Sequence, residues 1–263
     1  MAEWTPVLTG DGSLTLRNDR LGEACHDLAG AWTESCERYA LPTGLGRRAA
    51  GADPVRLLDI GTGLGWNLAA ALAAVEQPGG TLDAVGIELD PTVIERTIGL
   101  DRESGLAAGE AGRWHGKVTG ALERVLSNPD AAWKTGIPLG ERSRLRLALR
   151  GVSDVLEDLE GQPGFDAIFL DFFSRASDPR PWEGRLIQAI AGLLAPGGLL
   201  ATYSAALDLR VHLAAAGLLV GKGPKVAGKA EGTLAGRGVA GPPLADRTRR
   251  KLLRRLERLS ASD

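Results

Sequence analysis

Residues Leu57–Asn67 read LLDIGTGLGWN, and the order of residue types in this run decides the fold. Val55–Asp59 is short, apolar and ends on an acid, as a buried strand does where it leaves a sheet. Gly61, Gly63 and Gly65 follow at alternate positions, where they let backbone and ligand approach with no Cβ between them. Asn67–Val75 then reads as a helix, whose first N–H groups have no partner within the helix. A dinucleotide loop spaces its glycines G-x-G-x-x-G. The spacing here is G-x-G-x-G, which opens room for a nucleoside with an amino-acid tail rather than a pyrophosphate.

The same strand, loop and helix pattern continues outward. Asp83–Leu89, Leu145–Leu149, Phe165–Leu170 and Leu199–Tyr203 read as further strands. Pro91–Leu100, Val155–Leu159, Leu186–Leu194 and Leu207–Ala216 read as helices, with a turn at Pro196–Gly198. Leu218–Lys222 and Gly232–Ala235 form a closing antiparallel pair. Residues 101–143 are Gly-rich and weakly periodic, so they read as irregular or partly helical. Upstream, residues 5–17 alternate around Gly10-Asp11-Gly12 as a hairpin does. Leu28, Ala31, Trp32, Cys36 and Tyr39 recur at helical spacing and predict a helix from about Gly22 to Ala40, stopped by Pro42. Downstream, Arg247–Leu259 is a basic helix with an apolar stripe at Leu252, Leu253, Leu256 and Leu259. Strands alternating with helices give an α/β chain with a mostly parallel sheet and helices on both faces. We divide it into a hairpin-and-helix extension (1–50), a central domain (51–240) and a basic C-terminal helix (241–263).

Composition narrows the function classes. Cys25 and Cys36 are the only cysteines, which fits a reducing, cytoplasmic setting. No apolar run approaches the ~18 residues of a membrane span, and the first residues lack the pattern of a signal peptide. His26, His115 and His212 are widely separated, so no metal site is expected; His115 and His212 are read as surface residues. Gly-x-Ser-x-Gly and Walker-type loops are absent, which removes support for a hydrolase or an NTPase. The net charge of −2 hides an asymmetry: Gly221–Asp263 carries eleven Lys/Arg against four Asp/Glu. A basic tail on an acidic body points to an anionic partner such as RNA, or else to a solvated helix face.

Ligands of doubly wound sheets bind beyond the carboxyl ends of the strands. Besides Asp59, Gly61, Thr62, Gly63, Gly65 and Asn67 of the loop region, three acids fall at such ends. Glu88 can accept both ribose hydroxyls of a nucleoside, with Asp90 its near competitor. Asp154 can bond an adenine amino group or cap the helix that follows it. Asp171 can hold the cofactor's ammonium or a substrate amine. Together they make the loop a methyl-donor site for S-adenosylmethionine. Methyl transfer needs alignment and an unprotonated amine rather than a strong base, which makes Asp171 the candidate catalytic residue.

Ordered motifs then bring a family into view. Thr9-x-Asp11-Gly12-Ser13-x-Thr15, Glu23-x-x-His26, Gly30-Ala31 and Glu34 resemble the entry region of the MnmC-type methyltransferases. GTGLGWN is similar to their glycine loop. Leu170, Asp171, Phe173, Pro179 and Trp182 fit their Leu-Asp-x-Phe…Asn-Pro-x-x-Trp signature, and ATYS at 201–204 fits a later block. The resemblance implies a Rossmann-like class I methyltransferase with a seven-stranded sheet. It also implies methylation of the aminomethyl group of a modified wobble uridine in tRNA, with Glu23, His26, Phe172, Phe173 and Tyr203 on the substrate side. In bifunctional members an oxidase follows, and a chain of 263 residues is expected to be the stand-alone type. Phe172, Arg175 and Asp178 depart from the family's usual residues, as does the segment with Lys229 and Glu231. Those departures keep a small-molecule methyltransferase open as an alternative. An aminopropyl transferase and a non-enzymatic RNA-binding module are the more distant ones.

Overall fold

The computed structural model describes residues 4–175, 178–226, 231–239 and 241–260; Lys229 lies outside them. Strands β1 (Trp4–Leu8) and β2 (Leu14–Asn18) pair antiparallel, and β3 (Glu23–Ala24) adds a third strand. The helix expected from Gly22 is corrected here. Gly22 has φ of 71°, Glu23 and Ala24 pair with β2, and helix α1 (Ala31–Glu34) starts later. Its cap comes from the hairpin turn. Ser13 Oγ accepts from the N–H of Ala31 (3.1 Å) and Trp32 (3.2 Å), and Asp11 Oδ2 accepts from Thr33 N–H (2.8 Å). Burial pushes the Asp11 carboxyl up, but bonds from Ser13 and Thr33 outweigh it and bring it to about 2. The helix then widens into a π-helical stretch, Ser35–Ala40, where Leu41 N–H bonds the carbonyl of Cys36. Such widened turns are frequent at functional sites. Helix α2 (Leu45–Arg48) follows.

The central sheet begins with β4 (Val55–Ile60), α3 (Trp66–Glu76), β5 (Leu82–Ile87) and α4 (Pro91–Ser104). Next come α5 (Gly109–Ser127), α6 (Pro129–Lys134), β6 (Ile137–Pro138), β7 (Arg144–Ala148) and α7 (Val152–Leu159). Then β8 (Phe165–Leu170), α8 (Gly184–Gly192), β9 (Leu194–Thr202) and α9 (Leu207–Ala215) complete the parallel part. Strands β10 (Leu219–Lys222) and β11 (Thr233–Gly236) and helix α10 (Asp246–Ser260) close the chain. The strand order is β10-β11-β9-β8-β4-β5-β7-β6, with β11 and β6 antiparallel to their neighbours.

Three expectations change. Among the described residues the sheet has eight strands rather than seven, the additional one being β6 from the segment read as irregular. That segment is largely helical: Trp114, Val118, Ala121, Leu122 and Val125 of α5 are buried at helical spacing. Gly116 and Gly120 hid it, since each glycine weakens a helix by about 1 kcal/mol and neither is required by close packing. Pro196–Gly198 is not a free turn but an irregularity within β9, where pairing jumps from Leu194 to Leu199 against β8.

Both faces of the sheet are covered, so its strands are apolar throughout. Leu57, Ala84, Leu147 and Phe169 face α3 and α5, whereas Leu58, Val85, Ile168 and Leu200 face α7, α8 and α9. The direction of strand succession reverses between β4 and β8. There Asp171 N–H bonds the carbonyl of Ile60 (3.0 Å), so the ends of these two strands form the floor of one site.

Candidate active site

The loop after β4 turns through three left-handed glycines, Gly61 (φ 84°), Gly63 (51°) and Gly65 (85°). They do different work. A Cβ on Gly61 would overlap the Asp171 carbonyl oxygen, and one on Gly65 would meet Val118 Cγ1 at 2.6 Å. At Gly63 the space is open, with only Gly61 O at 3.8 Å. Gly61 and Gly65 thus serve packing, and Gly63 leaves the cradle empty. Glu88 Oε2 accepts from Gly63 N–H (2.8 Å), and Oε1 accepts from Asp90 N–H (2.8 Å). Burial raises the Glu88 pKa. Each oxygen keeps a lone pair for a ligand hydroxyl. Asp90, the competitor, instead caps α4 by accepting from Thr92 N–H.

Beside the loop lies an acidic cluster in which Asp59 and Glu34 are buried and Asp171 is half-buried. Asp171 Oδ1 accepts from Tyr39 OH (2.6 Å), and Oδ2 accepts from Asn67 Nδ2 (2.9 Å). Burial, with Glu34 nearby, pushes Asp171 up to about 7; the Tyr39 and Asn67 bonds oppose this only in part. Asp59 is fully buried, and burial, then the charge of Asp171, pushes it up to about 8. Among the described residues, both Asp59 oxygens and Asn67 Oδ1 are without hydrogen-bond partners. Thr62 Oγ1 is turned to the Asp59 carbonyl (3.4 Å). Arg38, itself buried, pairs with Glu34 (3.0 Å).

The residues expected on the substrate side fall in two groups, Phe172 and Tyr203 with Trp182 beside Asp171, and Phe173, Glu23 and His26 toward the hairpin. Phe172 packs edge-on to Trp182 (5.6 Å), which packs edge-on to Tyr203 (6.1 Å). Ser174, Arg175, Trp182, Tyr203, Ser204 and Leu209 line a cavity there. Phe173 turns the other way and stacks on Trp4 (6.2 Å). Glu23 accepts from the backbone N–H of Ser174 (3.1 Å) and from its hydroxyl, which ties β3 to the loop after Asp171. His26 is buried within the hairpin layer, with Nδ1 2.9 Å from Thr15 Oγ1.

Two histidine readings and one cap are corrected. His115 is 1% exposed rather than on the surface. Its Nε2–H donates to the Leu64 carbonyl (2.8 Å) inside the glycine loop, and its ring lies 4.0 Å from that of Trp66. Burial lowers its pKa to about 4, so the ring is neutral. His212 is half-buried in α9 and fills the space beside Gly184, where a Cβ would overlap its ring. The helix near Asp154 starts at Val152 with Gly151 as its cap residue, because the chain turns in earlier than expected. Asp154 is an exposed first-turn acid, suited to the helix dipole rather than to capping.

Sequence reasoning missed Tyr39, Glu34 and Arg38 as site residues. Tyr39 was legible only as one apolar position in a helix, and the π-helical widening that surrounds it leaves no mark in the spacing.

The donor set fits S-adenosylmethionine. Both Asp59 oxygens and Asn67 Oδ1 are acceptors that a ligand's N–H or O–H donors would satisfy, and carboxyls whose pKa values are raised toward neutrality favour a cation beside them. A pH dependence follows. With Asp59 pushed up to about 8 and Asp171 to about 7, both carboxyls hold protons below pH 7, and an ammonium bound beside them would lower both pKa values. Binding therefore releases protons, and affinity rises from pH 6 to 7.5. Calorimetry of S-adenosylhomocysteine at pH 6.5 in two buffers of different ionisation enthalpy should give different apparent enthalpies. Identical enthalpies would mean that no proton leaves.

A glycine loop at the switch point, an acid at the end of the next strand and an acidic pocket between them are what a Rossmann-like methyltransferase presents to its cofactor. A family model described as S-adenosyl-L-methionine-dependent methyltransferase matches residues 115–237. The tRNA 5-methylaminomethyl-2-thiouridine biosynthesis bifunctional protein MnmC of Cupriavidus necator is 30% identical over 237 residues, 88% of this chain and 34% of that one. The protein of the same name from Caulobacter vibrioides is 33% identical over 187 residues, 66% of this chain and 28% of that one. The chain thus spans about a third of the length of the curated relatives it matches. The crystal structure of MNMC2 from Aquifex aeolicus aligns with a TM-score of 0.78 and 26% identity, over 96% of this chain and 76% of that one. The chain belongs to the MnmC-like family of S-adenosylmethionine-dependent methyltransferases.

Proposed function

We propose that this methyltransferase acts on the aminomethyl group of a modified wobble uridine in tRNA. The observation that carries the reading is Asp171, a carboxyl held near pH 7 between the cofactor loop and an aromatic mouth. When bound, S-adenosylmethionine supplies a methyl group activated by a sulfonium. Asp59, Gly63, Asn67 and Glu88 would hold it, with Asp154 at its adenine end. Asp171 meets the acceptor amine, takes the proton from its ammonium at Oδ and leaves the nitrogen lone pair free to attack. S-adenosylmethionine would supply the methyl carbon for the new N–C bond and leave as the thioether. Tyr39 and Asn67 fix the carboxyl plane. Phe172, Trp182 and Tyr203 give the uracil ring faces and edges to pack against. Glu23 secures that wall through Ser174, and His26 and Phe173 steady it from the hairpin side.

The relatives named for tRNA 5-methylaminomethyl-2-thiouridine biosynthesis support this acceptor. The reading places the work in the cytoplasm with tRNA; among the described residues no helix is long and apolar enough to cross a membrane. Nucleoside mass spectrometry of tRNA from a strain lacking the gene tests it. Methylaminomethyl-uridine should disappear and its unmethylated precursor accumulate. Unchanged methylaminomethyl-uridine would overturn the proposal.

A further inference from the structure

Helix α10 carries Arg247, Arg249, Arg250, Lys251, Arg254, Arg255 and Arg258 against only Asp246 and Glu257. At about 100° per residue, Leu252, Leu256 and Leu259 share one face. Leu252 packs with Val211 of α9 and with Leu244, and Leu259 borders that cluster. Arg247, Arg250, Lys251, Arg254 and Arg258 fall within an arc of about 100° on the opposite face. The first four are exposed and, among the described residues, pair with no acid. A solvated helix usually interleaves both signs, and this stripe does not.

The stripe is joined to the candidate active site. Asp208, at the start of α9, is bonded by Arg255 from α10 and by Arg175 (3.3 Å) from the loop after Asp171. Arg175 and Leu209 line the aromatic cavity of Trp182 and Tyr203. One acid therefore holds a guanidinium of the cavity rim and one of the basic helix together. Positive charge continues from the rim onto the helix.

We infer that the outer face of α10 is a phosphate-binding track for the RNA strand that delivers the acceptor nucleotide to the aromatic cavity. The inference rests on the tRNA reading for its ligand but concerns a different surface. A base in the cavity leaves its backbone outside, where Arg175 meets the nearest phosphates. A helix of 15 residues is about 22 Å long, enough to follow several more.

The test uses the full chain with Arg247→Gln, Arg250→Gln and Arg254→Gln combined, which keeps helix formers and leaves the leucine face intact. Filter binding of unmodified tRNA is measured against salt for wild type and variant. The variant is expected to bind at least ten-fold more weakly near 0.1 M salt. Its log–log salt slope should be smaller by about 2, since each lost phosphate contact removes about 0.7–0.9. Methylation of the free aminomethyl-uridine nucleoside should be unchanged. Equal affinity and slope in the two proteins would overturn the inference, as would wild-type binding to phosphatidylserine vesicles without binding to RNA. Loss of RNA binding in the variant with no methyl transfer to tRNA by wild type would uphold the track and sink the acceptor reading instead.

Discussion

Replacing Asp171 with alanine should lower kcat by about 10³-fold and weaken S-adenosylhomocysteine binding several-fold. General acid–base groups contribute roughly 10²–10⁴, and this carboxyl also receives the Tyr39 hydroxyl and the Asn67 amide. Alanine leaves both donors without an acceptor, and Tyr39 is 1% exposed, so water cannot readily replace it. Asp171→Asn separates the two roles. It keeps the shape and one acceptor but cannot take a proton, so kcat should stay within about ten-fold of the alanine variant while cofactor affinity recovers. Steady-state rates with a labelled methyl donor decide this. Normal turnover in either variant would remove Asp171 from the chemistry.

The second large effect concerns stability. Gly61→Ala should destabilise the protein by about 3 kcal/mol. A left-handed backbone costs a residue with a Cβ roughly 1–2 kcal/mol, and overpacking adds roughly 1–3. The added Cβ would run into backbone rather than a movable side chain, because β4 and β8 close on each other there. For a chain of this size the loss lowers Tm by about 8 °C. Gly63→Ala is the contrast. Its φ is 51° and its Cβ meets open space, so Tm should fall by only about 3 °C while cofactor affinity drops sharply. Thermal melts with and without S-adenosylhomocysteine test both. Equal losses for the two glycines would contradict the division between packing and cradle.

The cofactor half of the site was legible because its physics is local. A strand, three glycines and a helix lie within Val55–Glu76, and Glu88 follows at the end of the next strand. The short apolar run FDAIFL placed Phe165–Leu170 to the residue. What failed was non-local. The start of α1 is set by Ser13 and Asp11 from a hairpin, so helical spacing alone began it too early. Helix α5 was hidden by glycines whose cost tertiary burial outweighs. Tyr39 reaches Asp171 across 132 residues, a contact that no spacing encodes. His115 carries no metal spacing and so read as surface, yet it secures the glycine loop from α5.

The proposed reaction is methyl transfer to an aminomethyl nitrogen on tRNA. The most direct test incubates the purified chain with methyl-labelled S-adenosylmethionine and tRNA carrying aminomethyl-uridine, followed by nucleoside analysis. One labelled nucleoside, methylaminomethyl-uridine, should form with wild type and be absent with Asp171→Ala. Label on another nucleoside, or none on tRNA while a small amine is methylated, would contradict it.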